Sequence, residues 1–149
     1  MHSLVTGFFF KKEKEMPKFG KTSRARLDTC DPRLQEIFEE VVKKWDCTIV
    51  CGHRTEEEQN KAYAEKKSKL KFPRSKHNGF PSKAVDVAPY YANVGIDWND
   101  LGGFYMFAGY VIRVAEELGY KLRYGGDWNG NKRTADQKFN DLPHFELVE

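Results

Sequence analysis

The segment at residues 84–90, AVDVAPY, places a single carboxylate, Asp86, in the centre of an otherwise apolar strand pattern. Its alternation and its β-branched valines predict a strand that presents Asp86 on one side. A buried carboxylate is costly unless a cation or a hydrogen-bonding partner compensates it. Any fold of this chain must therefore bring a partner to Asp86 from elsewhere in the sequence.

Three helices are predicted from local start signals and apolar periodicity. The first spans residues 32–45, where Asp31 supplies an N-cap before a proline and apolar residues recur at helical spacing. The second spans residues 55–66 and opens with a T-x-x-E capping box. The third follows a cap at Asn99 or Asp100 and ends at a glycine.

Short apolar runs predict further strands, and polar, turn-rich stretches predict loops between them. Helices and strands that alternate with long loops indicate an α+β fold, with a small antiparallel sheet packed with about three helices. The further strands are at residues 47–52, 121–126 and 144–148, and the longest loops are at 67–83 and 127–140.

The two ends of the chain differ in character. In residues 1–15 the apolar stretch precedes the lysines, the reverse of a secretory signal, so this segment is interpreted as an extension or expression remnant. Residues 16–149 are expected to form one domain, because no internal boundary is visible.

Composition excludes several classes of protein. The 149 residues are 40% hydrophobic, and no apolar run is long enough to span a bilayer. The net charge of +3 favours approach to an anionic polymer but does not identify which one. Nucleic-acid binding is not expected. The protein is expected to be a monomer. The three cysteines, Cys30, Cys47 and Cys51, are too few for a disulfide framework and are interpreted as core residues.

Two histidines and two aspartates form the candidate site. His77, Asp86 and His144 are a common zinc ligand set that leaves a fourth position for water, and Asp141 lies three residues before His144. Spacing alone leaves other interpretations open. In these, His77 is solvated, Asp86 pairs with Arg54, and His144 donates to a backbone carbonyl.

The sequences of two segments resemble those of a known family. SKHNGFPSKAVDVAPY and DLPHFEL are similar to the two signatures of the LAS metallopeptidases, named for lysostaphin, D-alanyl-D-alanine carboxypeptidase and sonic hedgehog. CGHRTEEEQNKAY and GGDWNGNKRTADQKFN extend the resemblance, which spans residues 17–149. The nearest branch is that of the phage endolysins that are L-alanyl-D-glutamate peptidases.

The resemblance implies a LAS/hedgehog-type zinc peptidase fold and a role for each matching residue. His77, Asp86 and His144 match the zinc ligands, Asp141 matches the catalytic acid/base, and Arg54 matches the arginine that binds the substrate carbonyl. These roles suit a zinc-activated water and a fixed guanidinium that stabilises an oxyanion.

One part of the motif departs from the family pattern. Ser75 matches the serine of the S-x-H opening, as a hydrogen-bond partner in the site or a substrate contact. His77 and Asp86 are nine residues apart instead of seven, and Ser82 replaces the motif glycine. The two extra residues lie in a loop, where they are expected to bulge without moving either ligand.

The function implied is that of an endolysin that cleaves the L-Ala–D-Glu bond of the peptidoglycan stem peptide. The alternatives are a D-alanyl-D-alanine carboxypeptidase or dipeptidase with the same site, and a non-catalytic zinc module that binds wall or protein. In the implied role the enzyme is made in the host cytoplasm without a signal peptide and reaches the wall after holin-like release or lysis.

A second metal hypothesis concerns the loop after residue 126. Five residues at positions one, three, five, seven and ten resemble an EF-hand-like calcium loop, although only two of them are carboxylates and a plain polar loop is the alternative. They are Asp127, Asn129, Asn131, Arg133 and Asp136.

Overall fold

The computed structural model describes residues 16–149, so the extension expected at residues 1–15 lies outside the described residues. The described chain contains eight helices and strands and one 3-10 turn at Lys76–Asn78. In chain order they are α1 (Lys21–Leu27), α2 (Pro32–Lys44), β1 (Cys47–Cys51), α3 (Glu56–Ala64), β2 (Ala84–Pro89), α4 (Leu101–Glu117), β3 (Leu122–Tyr124) and β4 (His144–Leu147).

The four strands form one antiparallel sheet in the order β1-β2-β4-β3. On β2, Asp86 pairs with His144 of β4 on one side and with Cys51, the last residue of β1, on the other. The predicted α+β class with a small antiparallel sheet is confirmed. The strand register also supplies the distant partner that a carboxylate within β2 requires.

The hydrophobic core lies between the sheet and helices α2 and α4. Phe38 of α2 and Phe107 of α4 make edge-to-face contacts with Phe145 of β4, at ring-centroid distances of 5.6 and 6.3 Å. Val85 and Val87 of β2 belong to the same core. Because side chains alternate along a strand, Asp86 projects from the opposite face of the sheet.

The predicted helix starts are confirmed by their caps. Asp31 accepts a hydrogen bond from the second residue of α2, and Thr55 and Glu58 form the reciprocal capping box of α3. Asp100, rather than Asn99, caps α4, because its side chain accepts a hydrogen bond from the amide of Gly103, the third residue of the helix. These starts were predictable because each depends only on residues within one turn.

The sequence patterns do not predict helix α1, so the described chain has four α-helices instead of about three. No side chain caps this seven-residue helix, and its only buried residues are Ser23 and Leu27. It lies along the outer edge of β1: Ser23 Oγ accepts from the Ile49 amide at 3.1 Å, and the Arg26 guanidinium donates to the Ile49 carbonyl at 3.0 Å. Pairing of a free strand edge, a tertiary effect, therefore stabilises α1.

The predicted loops carry little regular structure. Residues 67–83 contain only the 3-10 turn, and residues 125–143 contain no helix or strand. Within residues 16–149, no helix is both long enough and apolar enough to cross a membrane.

Asp31 provides a test of stability and its pH dependence. Its carboxylate accepts from the Arg33 guanidinium and the Lys83 ammonium, each at 2.9 Å. These contacts, that of Arg33 first, hold the pKa of the Asp31 carboxyl well below its usual range. A carboxyl whose pKa is lower in the folded state stabilises the fold above its unfolded pKa of about 3.9, and this stabilisation is lost as the pH falls toward the folded-state pKa.

We expect Asp31→Asn, which keeps an N-cap oxygen, to lower the free energy of unfolding by about 2 kcal/mol at pH 7, since both cationic partners are about one-third exposed and partly screened. The difference from the wild type should shrink below about pH 4. Urea titrations at pH 7 and pH 3 measure both, with exposed Asp28→Asn as the control. An equal difference at both pH values would show that the charge of Asp31 is not responsible.

Candidate metal centre and active site

Three side chains that are far apart in sequence converge at the sheet. His77 comes from the 3-10 turn, Asp86 from β2 and His144 from β4. His77 Nε2 lies 3.2 Å from Asp86 Oδ1 and 3.3 Å from His144 Nδ1, and His144 Nδ1 lies 3.2 Å from Asp86 Oδ1. The three atoms form a nearly equilateral triangle, and each of the three residues is at most 9% exposed.

This triangle fits a small tetrahedral metal ion. Zinc binds imidazole nitrogen and carboxylate oxygen at about 2.0–2.1 Å, which separates neighbouring corners of a tetrahedron by about 3.3 Å. Two imidazoles and one carboxylate are a usual donor set for a catalytic zinc site with one position left for water. The bulged loop between His77 and Asp86 does not separate the two side chains, despite the two extra residues.

Hydrogen bonds to the other ring nitrogens orient both imidazoles. His77 Nδ1 lies 2.8 Å from the Gly52 carbonyl oxygen, and His144 Nε2 lies 2.8 Å from Glu146 Oε1. In the neutral form of each ring, these acceptors place the proton on the outer nitrogen, so the nitrogen inside the triangle is the one that binds a cation once it is deprotonated. Both rings are thus held in the tautomer that a metal site requires.

The Asp86 carboxylate and the two imidazoles shift one another's pKa values. Burial opposes protonation of both imidazoles, but the Asp86 carboxylate raises the pKa of His77 to about 10 and, with Glu146, that of His144 to about 9. Burial opposes ionisation of Asp86, yet the two imidazoles hold the pKa of its carboxyl well below the usual range. Because a coordinating imidazole is neutral, a metal ion must displace these protons.

Asp141 stands beside the triangle. Its Oδ2 lies 3.8 Å from His144 Nδ1, and its side chain is 33% exposed. Its amide donates to the Gly125 carbonyl at 2.8 Å, and a Cβ at Gly125 would collide with the Asp141 carbonyl oxygen. Burial and the charge of Asp86 raise the pKa of the Asp141 carboxyl to about 6, within the range that suits a general acid or base.

Arg54 approaches the cluster from the side of β1. Its Nη2 lies 3.8 Å from Asp86 Oδ2, while Asp86 Oδ1 faces the two imidazoles. Its Nη1 donates to Gln59 Oε1 at 2.9 Å. Two interpretations of Asp86 that were alternatives in the sequence, a pair with Arg54 and a place among the histidines, are therefore compatible, because they involve different carboxylate oxygens.

Ser75 forms hydrogen bonds that cap the 3-10 turn. Its Oγ accepts from the His77 amide at 3.2 Å, and its own amide donates to Asn78 Oδ1 at 3.0 Å. These two bonds form the capping box of the 3-10 turn. Ser75 therefore stabilises the turn that carries His77, and its predicted role in the site stays a prediction.

The loop proposed for calcium is held together by its own hydrogen bonds. Asp127 Oδ2 accepts from the Lys132 amide at 2.9 Å, and Asn131 Nδ2 donates to Asp136 Oδ2 at 2.6 Å. Asn129 Oδ1 and Asn131 Oδ1 accept from amides two residues further on, the latter from Arg133. Among the described residues, buried Asp127 Oδ1 has no hydrogen-bond partner. Calcium binding by this loop stays a prediction.

Sequence reasoning missed two polar residues of the site, Glu146 and Gln59, and misjudged Cys51. Glu146 had a signal, because a residue two positions after His144 in a strand shares its face. Gln59 had none, since a glutamine in a polar helix normally faces solvent. Cys47 is buried in the core as expected, but Cys51 is half-buried and its Sγ lies 3.9 Å from His77 Nδ1.

Glu146 links His144 to two cations. Its Oε2 lies 3.3 Å from both Lys76 Nζ and Arg123 Nη1. Burial opposes ionisation of Glu146, but His144 and Lys76 outweigh it and lower the pKa of the Glu146 carboxyl. We expect Glu146→Gln to weaken metal affinity about 10- to 100-fold, because the amide no longer provides a charged acceptor for the imidazole. Competition with a chromophoric chelator measures the affinity. Glu116→Gln, on an exposed position of α4, is the control, and an unchanged affinity in Glu146→Gln would contradict the role.

Comparisons with known proteins identify the family of this chain. The family model described as phage L-alanyl-D-glutamate peptidase matches residues 16–148. The chain is 41% identical over 136 residues to the L-alanyl-D-glutamate peptidase of Escherichia phage T5, covering 88% of this chain and 98% of that protein. The crystal structure of the L-Ala D-Glu endopeptidase ChiX of Serratia marcescens superposes with a TM-score of 0.70 at 25% identity, covering 92% and 94% of the two chains. The predicted resemblance is confirmed: the chain belongs to the phage L-alanyl-D-glutamate peptidase family.

Proposed function

We propose that this protein is a zinc-dependent endolysin that hydrolyses the L-Ala–D-Glu bond of the peptidoglycan stem peptide. The observation that carries the proposal is the triangle of His77, Asp86 and His144 with Asp141 at its edge. A metal site alone would suit a binding module, but within residues 16–149 the half-buried Asp141 carboxylate beside it has no side-chain partner except His144. Membership of a peptidase family supports a catalytic use of that carboxylate.

In this proposal His77 Nε2, Asp86 Oδ1 and His144 Nδ1 would hold the zinc ion. When bound, zinc acts as a Lewis acid that polarises the substrate carbonyl and makes water a stronger acid. The two nitrogen donors and one oxygen donor favour zinc over magnesium or calcium, which prefer all-oxygen sites. Gly52 and Glu146 keep the imidazoles in the coordinating tautomer.

Asp141 and Arg54 carry out the remaining steps. Asp141 accepts a proton from the attacking water and then donates it to the amine nitrogen of D-Glu as the amide bond breaks. Arg54 directs its guanidinium toward the side of Asp86 that does not face the imidazoles, where it binds the carbonyl oxygen as negative charge develops on it. Trp128, whose ring centroid lies 5.2 Å from that of His144, forms an apolar wall beside that imidazole.

Digestion of purified murein sacculi tests the bond assignment. We expect new amino termini that are identified as D-Glu after labelling and acid hydrolysis, with L-Ala left as the carboxyl end on the glycan. Release of free D-Ala would instead support the carboxypeptidase alternative. Intact sacculi with a fully zinc-loaded protein would support the non-catalytic binding module.

The proposal also covers the cellular context. The substrate partner is the stem peptide of the wall, and the enzyme reaches it after holin-like release or lysis of the host. Purified protein added from outside to cells with permeabilised outer layers should therefore lower the turbidity of the suspension, which is a direct assay for variants.

A further inference from the structure

Gln59 is a fully buried carboxamide with every hydrogen-bonding position used. Its exposure is 0%, and it is the one buried residue of helix α3, which the structure describes in full. Oε1 accepts from Arg54 Nη1 at 2.9 Å and from Asn78 Nδ2 at 3.1 Å. Nε2 donates to Ser68 Oγ at 2.9 Å and to the Leu70 carbonyl at 2.6 Å. Because the Gln59 carboxamide is shielded from water, its orientation is fixed by these hydrogen-bond partners.

The partners of Gln59 belong to three segments that meet at the site. Arg54 lies between β1 and α3, Asn78 belongs to the turn that carries His77, and Ser68 and Leu70 belong to the lysine-rich loop. Asn78 Nδ2 also donates to the Arg54 carbonyl at 3.2 Å, so the network closes on itself. Gln59 therefore joins the arginine, the His77 turn and the loop into one hydrogen-bonded unit.

The neutrality of Gln59 matters for Arg54. The guanidinium is 17% exposed, and its other near neighbours are Cys51 Sγ at 3.7 Å and Asp86 Oδ2 at 3.8 Å. Within the described residues, Gln59 is the side chain that gives Arg54 a hydrogen bond of ordinary oxygen–nitrogen length. A neutral acceptor orients the guanidinium without neutralising its charge, which stays available for a developing oxyanion.

The same bond keeps Arg54 away from Asp86. Two opposite charges 3.8 Å apart attract each other strongly at a buried site, and nothing else in the described network restrains the guanidinium on the opposite side. Released from Gln59, Arg54 would move toward Asp86 Oδ2 and away from the position assigned to the substrate carbonyl. Gln59 thus sets the distance between the arginine and the metal-binding triangle.

We infer that Gln59 is a positioning residue for the reaction: it holds Arg54 at the carbonyl-binding position without neutralising its charge. This inference rests on the proposed function, because it assigns Gln59 an effect on turnover that is exerted only through Arg54. Gln59 does not need to contact the substrate in this role. The role also requires a neutral side chain, so a glutamate at position 59 would not fulfil it.

The test is a double-mutant cycle with Gln59→Leu and Arg54→Ala, assayed for kcat and KM on a soluble murein stem peptide. We expect Gln59→Leu to lower kcat about 10- to 100-fold, the effect of a misplaced electrostatic group, with unchanged zinc content. In the Arg54→Ala background the same substitution should change kcat less than about twofold, since the group it positions is absent. Losses that multiply in the double variant, or an unchanged kcat in Gln59→Leu, would overturn the inference.

Gln59→Glu provides a second variant that preserves shape if Gln59→Leu does not fold. It keeps an acceptor for Arg54 but forms a buried ion pair that neutralises the guanidinium, so kcat should again fall by at least about tenfold while KM changes little. A wild-type kcat in Gln59→Glu would contradict the inference. Gln35→Leu is the matched control, because it also removes a half-buried glutamine hydrogen bond, to the Cys30 carbonyl at 2.8 Å, and should leave kcat unchanged.

A readout without turnover separates this inference from the proposed function. Phenylglyoxal labelling of Arg54, mapped by peptide mass spectrometry, reports the freedom of the guanidinium even in a protein that cleaves nothing. We expect labelling of Arg54 to be several-fold faster in Gln59→Leu than in the wild type or Gln35→Leu. Faster labelling with no wild-type cleavage of the stem peptide would contradict the proposed function alone, whereas equal labelling rates would contradict the positioning role alone.

Discussion

Asp141→Ala is expected to lower kcat on murein stem peptide by about 10²- to 10⁴-fold while the protein keeps its zinc. The carboxylate lies 3.8 Å from His144 Nδ1 and is not a corner of the metal-binding triangle, so its removal leaves the three donor atoms in place. What is lost is the group that, in the proposed mechanism, takes the proton from water and returns it to the leaving amine. Metal analysis and turnover measured on the same sample test both halves of this expectation.

Asp141→Asn separates proton transfer from hydrogen bonding, because the amide has the same shape but cannot accept the proton. It should be as inactive as Asp141→Ala. Asp28→Ala, at an exposed carboxylate after α1, controls for the loss of a surface charge and should retain wild-type kcat. Wild-type turnover in zinc-loaded Asp141→Asn would remove Asp141 from the mechanism.

Asp86→Ala is expected to abolish zinc binding and, with it, activity. Asp86 Oδ1 is 3.2 Å from both His77 Nε2 and His144 Nδ1, so in the proposed site it is the donor that joins the two imidazoles. Without it the two histidines form an incomplete site, and the loss of metal polarisation removes several kcal/mol of transition-state stabilisation, a fall of about 10³-fold or more in kcat.

Chelation distinguishes loss of metal from loss of fold in this variant. Wild-type protein treated with a chelator should lose activity and regain it when zinc is added, because the apo site keeps its hydrogen-bonded geometry. Asp86→Ala should remain inactive at the same zinc concentration while its circular dichroism spectrum stays that of the wild type. Full zinc occupancy in Asp86→Ala would rule out the assigned ligand set.

The helices show which parts of the fold were predictable. The starts of α2 and α3 were visible because Asp31 and the pair Thr55–Glu58 act within one turn of chain, and local signals survive in the sequence. Helix α1 was not visible, because Ser23 and Arg26 acquire their role only when the edge of β1 lies beside them. Local preference and tertiary contact therefore account for different helices.

In the candidate site, too, some features follow from local sequence and others only from tertiary contacts. The sequence by itself determined the chemistry: Asp86 within an apolar strand required a partner, and the segments around His77 and His144 resembled a family in which both bind zinc. Only the tertiary structure decided the geometry, because the 3.2 Å separation of Asp86 Oδ1 and His144 Nδ1 depends on strands β2 and β4 pairing in one register, and the separations to His77 Nε2 depend on the placement of the 3-10 turn. It also decided that Glu146 and Gln59 orient His144 and Arg54, since hydrogen bonds between segments distant in sequence leave no periodic pattern in the chain.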